Sequence, residues 1–305
     1  MPETLAVTNQ KGGVGKTTTA INVGASLALH HNKKVLLIDA DQQGNLSDGL
    51  GIAIEPEHTI LEALLQTSDH KVYPYANNID VIPSNKEFSS FEANINHPNF
   101  EELKHEIGPE NLLKNYIESH CSNYDYILID CPPDLNLVTI NALVACNKVL
   151  IPLRAHGFST KGLETVLNMM TRLAKRLNTG IDLSGVFFTE HDERTILSRD
   201  IADDVRKAVD GKVFKTFVRR AIALAESSER QLDVFSYDTQ MEQESNGSKD
   251  YQNLTNEMLG LDINGKAYER KQVAVTEDDT NQEDETGNTE LANKFQAFLK
   301  SKRSK

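Results

Sequence analysis

Residues 10–18 read Gln10-Lys11-Gly12-Gly13-Val14-Gly15-Lys16-Thr17-Thr18, between a short apolar run, Leu5-Ala6-Val7, and the helical apolar pattern Ala20, Ile21, Val23 and Leu27. A glycine-rich turn between a strand and a helix, closed by Lys-Thr, is a cradle for phosphate. Its backbone curls so that N–H groups point inward, and the positive end of the following helix adds to the field. Lys16 is placed to reach the β- and γ-phosphates of a nucleotide and Thr17 to offer its hydroxyl to Mg²⁺, with Gly12, Gly13, Val14, Gly15 and Thr18 completing the cradle. Two positions are unusual: Gln10 stands where the standard loop has glycine, and Lys11 adds a second lysine. Lys16 already serves the terminal phosphates, and a cation on the early limb of the loop tends to point away from them. Lys11 is therefore read as reaching a nucleotide held by a second protomer, although an arbitrary loop lysine is more often simply solvated.

Two acidic strand ends extend the site. Lys34-Val-Leu-Leu-Ile-Asp39-Ala-Asp41 and Tyr126-Ile-Leu-Ile-Asp130-Cys-Pro-Pro133 are apolar runs of buried-strand type that finish in carboxylates. In an open parallel sheet, ligands sit beyond the carboxyl ends of the strands, which is where Asp39, Asp41 and Asp130 fall. Carboxylates facing a phosphate loop usually hold Mg²⁺ through its waters. A single such Asp could merely cap a turn; three in one chain with a phosphate loop point to a metal-nucleotide site.

With these segments in hand, the chain resembles the ParA-type partition ATPases of the deviant-Walker ParA/MinD family. The likeness rests on Lys11 to Asn22, on Val35 to Gly51 including Asp-Gln-Gln-Gly-Asn45, and on Tyr124 to Pro133 with Thr139-Ile-Asn-Ala-Leu143, and it extends over roughly residues 4–260. The resemblance implies that Lys11 crosses a dimer interface, that Asp41 helps to position the attacking water, and that Asp39 and Asp130 support Mg²⁺. It implies ATP and Mg²⁺ as cofactors, an ATP-dependent homodimer, non-specific DNA binding, and a ParB-like centromere-binding partner that stimulates hydrolysis. Two departures from the family stand out. Gln42 replaces the usual proline, which loosens the loop after Asp41. Phe217-Val-Arg219-Arg220 stands where a Pro-Arg-Asn turn contacts adenine, so Arg219 is a candidate nucleotide contact while selectivity for adenine is left open.

The 305 residues carry a net charge of −13 with 39% apolar and 25% charged content, enough to bury one large core and still carry a tail. Cys121, Cys131 and Cys146 have no metal or disulfide spacing, which suits a reducing compartment. The phosphate loop starts too near Met1 for a signal peptide or a helix-turn-helix to precede it, and no apolar run approaches a membrane span. The expected location is cytoplasmic and nucleoid-associated, with membrane attachment disfavoured. An acidic chain can still bind DNA through a local basic surface, and Arg206, Lys207, Lys212, Lys215, Arg219 and Arg220 face a single acid, Asp210, in that stretch. Such a run is often only a solvated face; relatives of ParA type bind DNA through cations of this region.

Alternating strands and helices predict an α/β fold, a doubly wound, mostly parallel sheet flanked by helices, as in P-loop NTPases. Strands are expected at 34–38, 79–83, 126–130, 147–153, 183–189 and 213–218, and helices near 59–66, across 84–120, and at 136–145, 159–177, 196–209, 221–229 and 246–259. Three regions follow: an ATPase domain over 1–262, an acidic linker over 263–290 too poor in apolar residues to fold alone, and a short basic amphipathic helix over 291–305. That last helix has an apolar stripe of Leu291, Phe295, Phe298 and Leu299 and suits docking better than membrane binding. The function expected is DNA partition of a plasmid or chromosome. The competing readings are MinD-like positioning and a P-loop metabolic ligase of dethiobiotin-synthetase type.

Overall fold

The computed structural model describes residues 1–55, 57–67, 71–154, 160–177, 180–190, 205–206, 209, 211–262 and 264–266. Seven strands form one sheet: β1 (Glu3–Val7), β2 (Val35–Asp39), β3 (Tyr73–Ala76), β4 (Ile79–Ile82), β5 (Tyr126–Asp130), β6 (Lys148–Arg154) and β7 (Asp182–Thr189). Their order is β3-β4-β2-β5-β1-β6-β7, all parallel except the β3–β4 hairpin at one edge. The inner strands are buried on both faces, which explains why they read as unbroken apolar runs rather than alternating ones. Alternation sorts them between two cores. Leu36, Ile38, Ile127 and Ile129 face helices Leu112–His120, Leu137–Ala145 and Thr160–Leu177. Val35, Leu37 and Leu128 face α1 (Lys16–His31) and the helices Val234–Gln240 and Asn246–Met258.

The register of the central strands places the site. Val7 on β1 and Asp39 on β2 both pair with Asp130 on β5, so three strand ends stop level with one another. Chain then leaves the sheet from β1 into the glycine loop and from β2 into residues 40–44.

The expected fold class is the one observed, with some differences of detail. The segment expected as a strand at 213–218 makes only two isolated bridges to β7, at Val186–Val213 and Thr189–Val218. Its other edge is bonded to side chains rather than to a strand, as described below. The helices expected across 84–120 are present as short pieces, the longest being Leu112–His120. Three elements lie in stretches read as connections: the short helix Asn45–Gly49, β3, which carries Pro74 and is tolerated because it is an edge strand, and the helix Val234–Gln240, capped by Asp233, whose carboxylate accepts from the amides of Phe235 and Ser236 at 2.9 Å each. The helix expected at 196–209 falls largely outside the described residues, as do Lys207 and, apart from residues 264–266, the linker and tail. Among the described residues no helix is long and apolar enough to cross a membrane.

Candidate nucleotide site

The glycine loop wraps the head of the sheet in the conformation its composition requires. Gly13 and Gly15 take left-handed φ values of 70° and 87°, which side-chain-bearing residues adopt at a cost. Gly15 caps α1 without a side-chain bond, and the first turn of α1 carries no acid, so its leading N–H groups remain available to an anion. The loop is tied down from β6 and β7. Thr189 at the end of β7 donates its hydroxyl to Val14 O at 3.0 Å, and Asn9 donates from Nδ2 to Pro152 O at 2.7 Å while its Oδ1 accepts the amide of Lys11 at 3.0 Å.

A cavity of about 900 Å³ opens over this loop. Gly12 to Thr18 form its floor, Asp41 and Gln43 one wall, and Val218, Arg219, Arg220, Leu224 and Tyr251 the opposite wall. The floor suits phosphates and the far wall suits a base and sugar, the size being that of a nucleotide site. Lys16 is buried at the floor. Lys11 is exposed and is not among the residues lining the cavity of its own protomer.

The three aspartates differ in what they hold. Thr17 donates its hydroxyl to Asp130 Oδ2 at 2.6 Å, while Asp130 Oδ1 is buried without a partner. An orphaned carboxylate oxygen beside a threonine hydroxyl and a buried lysine is a donor set that fits Mg²⁺ and its waters. Asp39 is fully engaged. Its Oδ2 accepts from Ser47 N at 3.0 Å and Ser47 Oγ at 2.7 Å, and its Oδ1 accepts from Asp41 N at 3.2 Å. It thereby anchors the turn that carries Asp41, and Ser47 Oγ in turn accepts the amide of Ser84 at 3.2 Å beyond β4. Asp41 caps Gln43 N at 3.0 Å and faces the cavity.

Burial and like charge set the electrostatics. Asp39 is raised to about 6, chiefly by desolvation, against the opposing bonds from Ser47 and Asp41. Asp130 is pushed well above the usual carboxylate range, first by burial and then by the neighbouring Asp39, with the Thr17 bond and Lys16 pulling the other way.

The described basic residues differ in their surroundings. Arg219 and Arg220 line the cavity, and Lys212 is paired with Asp182 on β7 at 2.6 Å. Arg206 and Lys215 are exposed. Sequence reasoning missed Ser47, Thr189, Tyr251 and Asp250. Asp250 is buried and holds Arg219 from the helix Asn246–Met258, through a charge pair of 2.6 Å and the Arg219 amide at 2.9 Å. Only Thr189 had a signal, its place at a strand's carboxyl end.

Fold and site together define a P-loop nucleotide-binding α/β protein. Residues 2–183 match the AAA_31 family, described as an AAA domain. The chain is 37% identical over 269 residues to the chromosome-partitioning ATPase Soj of Treponema pallidum (86% of this chain, 99% of the relative). It is 36% identical over 269 residues to the chromosome partitioning protein ParA of Caulobacter vibrioides (86% and 96%). Among solved structures, cobyrinic acid a,c-diamide synthase of Mycobacterium smegmatis, with a bound ATP analogue and magnesium, superposes with a TM-score of 0.70 at 28% identity, covering 85% of this chain and 95% of that one. The chain belongs to the Soj/ParA family of partition ATPases, built on an AAA-domain core.

Proposed function

We propose that this chain is an ATP-dependent DNA-partition ATPase in which ATP closes a sandwich dimer, the dimer binds DNA without sequence preference, and a ParB-like partner triggers hydrolysis and release. The observation that carries the reading is the division of labour among the loop's two lysines: Lys16 is buried at the floor of the cavity, and Lys11 stands outside it, where a second protomer's nucleotide could receive it. ATP lies with its phosphates on Gly12 to Thr18 and its base toward Val218 to Ala221. Thr17, with Asp130 behind it, would hold Mg²⁺, which would supply neutralisation of phosphate charge. Lys16 stabilises charge on the phosphoryl oxygens as the bond to ADP breaks, and Asp41 orients the water that attacks, giving ADP and phosphate. Asp39 acts by fixing the Asp41 turn. Arg206, Lys207, Lys212, Lys215, Arg219 and Arg220 are the DNA candidates, with Arg219 and Arg220 also at the nucleotide. The division into ATPase domain, linker and basic tail belongs to the same proposal, as do the cytoplasmic, nucleoid-associated location and the weak case for membrane attachment.

The test is light scattering with ATP, with ADP and with neither. Wild type should double in mass with ATP alone, and Lys11→Ala should remain a monomer while still binding ATP. A dimer of normal strength in that variant would leave Lys11 as a solvated loop residue.

A second reading, a P-loop ligase, has one observation in its favour. A cavity of about 490 Å³ adjoins the first across Asp41, Gln43 and Pro133, where a small substrate could meet a γ-phosphate. ATP turnover stimulated by a small acid or amine, and not by DNA, would select that reading over partition.

A further inference from the structure

The segment 212–219 runs beside β7 with the bonding of a strand on one edge only. Val186 donates to Lys212 O at 2.9 Å, Phe214 donates to Val186 O at 2.8 Å and Val218 donates to Phe188 O at 2.8 Å. On its other edge, where a strand would pair with a neighbour, the amides go to two carboxylates on the helix Asn246–Met258. Glu257 accepts the amide of Lys215 at 2.7 Å on Oε1 and that of Thr216 at 2.9 Å on Oε2. Asp250 accepts the amide of Arg219 at 2.9 Å, its Nε at 2.9 Å on the same oxygen and its Nη2 at 2.6 Å on the other. Residues 250 and 257 are seven apart, two turns, so both carboxylates project from one helix face. Between them, Tyr251 lines the nucleotide cavity, with its hydroxyl 3.3 Å from Thr19 Oγ1 in the first turns of α1.

Asp250 is buried while the Arg219 side chain is 42% exposed. A forked, charge-assisted pair with one member immobilised fixes the other in direction as well as place. The Arg219 donors on the Nε edge are consumed by Asp250, which leaves to a ligand in the cavity the face of the guanidinium and its remaining N–H groups. A planar cation held in this way suits stacking against a base or contact with a ribose.

We propose that Asp250 is the positioning residue for the nucleoside end of the site: through Arg219 it sets the wall formed by residues 218–221, and it acts on the base and sugar rather than on the phosphates. The inference rests on the nucleotide reading above. The distinguishing comparison is between a ligand with a base and one without, so full-length wild type, Asp250→Asn and Arg219→Ala are titrated calorimetrically with ATP and with tripolyphosphate, each with Mg²⁺. Asp250→Asn keeps the shape of the side chain and one acceptor oxygen. Its ATP affinity should fall about tenfold, Arg219→Ala should lose a similar factor, the double variant should lose no more than either, and tripolyphosphate affinity should stay within twofold throughout. Equal losses for both ligands would make Asp250 a purely structural support, and unchanged ATP affinity in the folded variant would also overturn the assignment. Failure of wild type to bind either ligand would overturn the nucleotide reading itself. Should Asp250→Asn not fold, Arg219→Ala alone decides: a selective loss of ATP affinity supports the wall, and an equal loss for both ligands rejects it.

Discussion

Two buried carboxyls facing each other across β2 and β5 are an expense in the absence of a cation, because burial makes each resist ionisation and Asp39 raises Asp130 further. Asp39, raised to about 6 from 3.8, retains a proton in the folded state that the unfolded chain has released over that interval. Linkage then makes the unfolding free energy fall as pH rises through the interval, by at most roughly 1.4 kcal/mol per pH unit for one group. Asp130→Asn replaces a buried carboxyl that resists ionisation by a neutral amide whose oxygen can still accept from Thr17. The nucleotide-free variant should melt roughly 2–4 °C above wild type at neutral pH, the shift that about 1 kcal/mol gives in a domain of this size, with the gap narrowing at pH 5. Scanning calorimetry at the two pH values checks this; a variant less stable than wild type at pH 7 would show the carboxylate to be a net support. The same substitution should abolish Mg²⁺-dependent ATP binding, a trade of function for stability at a strained site. Asp41→Ala should leave ATP binding intact and slow single-turnover hydrolysis on the order of a hundredfold, since orienting the water matters in the transition state. Lys16→Ala should reduce ATP affinity itself, and calorimetry showing wild-type affinity would remove Lys16 from the phosphates.

At the scale of elements, α1 lies on the sheet closely enough that one glycine is required. A Cβ built at Gly24 would stand 2.6 Å from Leu37 Cδ2, a buried atom of β2. Gly24→Val should therefore cost about 1–3 kcal/mol by overpacking, seen as a lower urea midpoint at unchanged slope; a midpoint equal to wild type would mean that the helix can shift. Elements with one strong local cause were legible in the sequence. The strand Tyr126–Asp130 and the helix Leu137–Ala145 are bounded within a residue of expectation, because apolar runs and turn residues mark them. The glycine loop was legible for the same reason. What could not be read depends on partners distant in the chain: the 213–218 segment has strand-like residues, yet its outer amides go to Glu257 and Asp250, and no local pattern announces that. Asp39 is a related case. Its position was evident from the apolar run before it, while its engagement with Ser47 follows from how the turn at Gly44 folds back.

For the whole molecule, a net charge of −13 makes any DNA binding a matter of local surface. Arg206, Lys215 and Arg220 are exposed, while Lys212 and Arg219 are bound to acids in the nucleotide-free chain. Retention on random-sequence duplex should require ATP and fall steeply with salt, because each phosphate contact releases counterions. Replacing Lys215, Arg219 and Arg220 by Glu should abolish it. Filter binding at low salt gives the answer, and unchanged affinity in the triple variant would exclude this surface and direct attention to the basic residues 300–305. ATP affinity must be measured on the same variant, since Arg219 also lines the nucleotide cavity.

The level strand ends of β1, β2 and β5 carry a consequence for biogenesis. Their order in space, β2-β5-β1, differs from their order in the chain, so the phosphate floor acquires its Asp130 only after more than a hundred further residues have followed the glycine loop off the ribosome. The opposite wall waits longer, for Asp250 and Tyr251. At about 5–20 residues per second of synthesis, a growing chain spends many seconds with a finished glycine loop and no pocket around it. Full affinity for nucleotide is thus expected among the last properties the polypeptide acquires, and a truncated chain that ends before the helix Asn246–Met258 should bind ATP more weakly than the full chain.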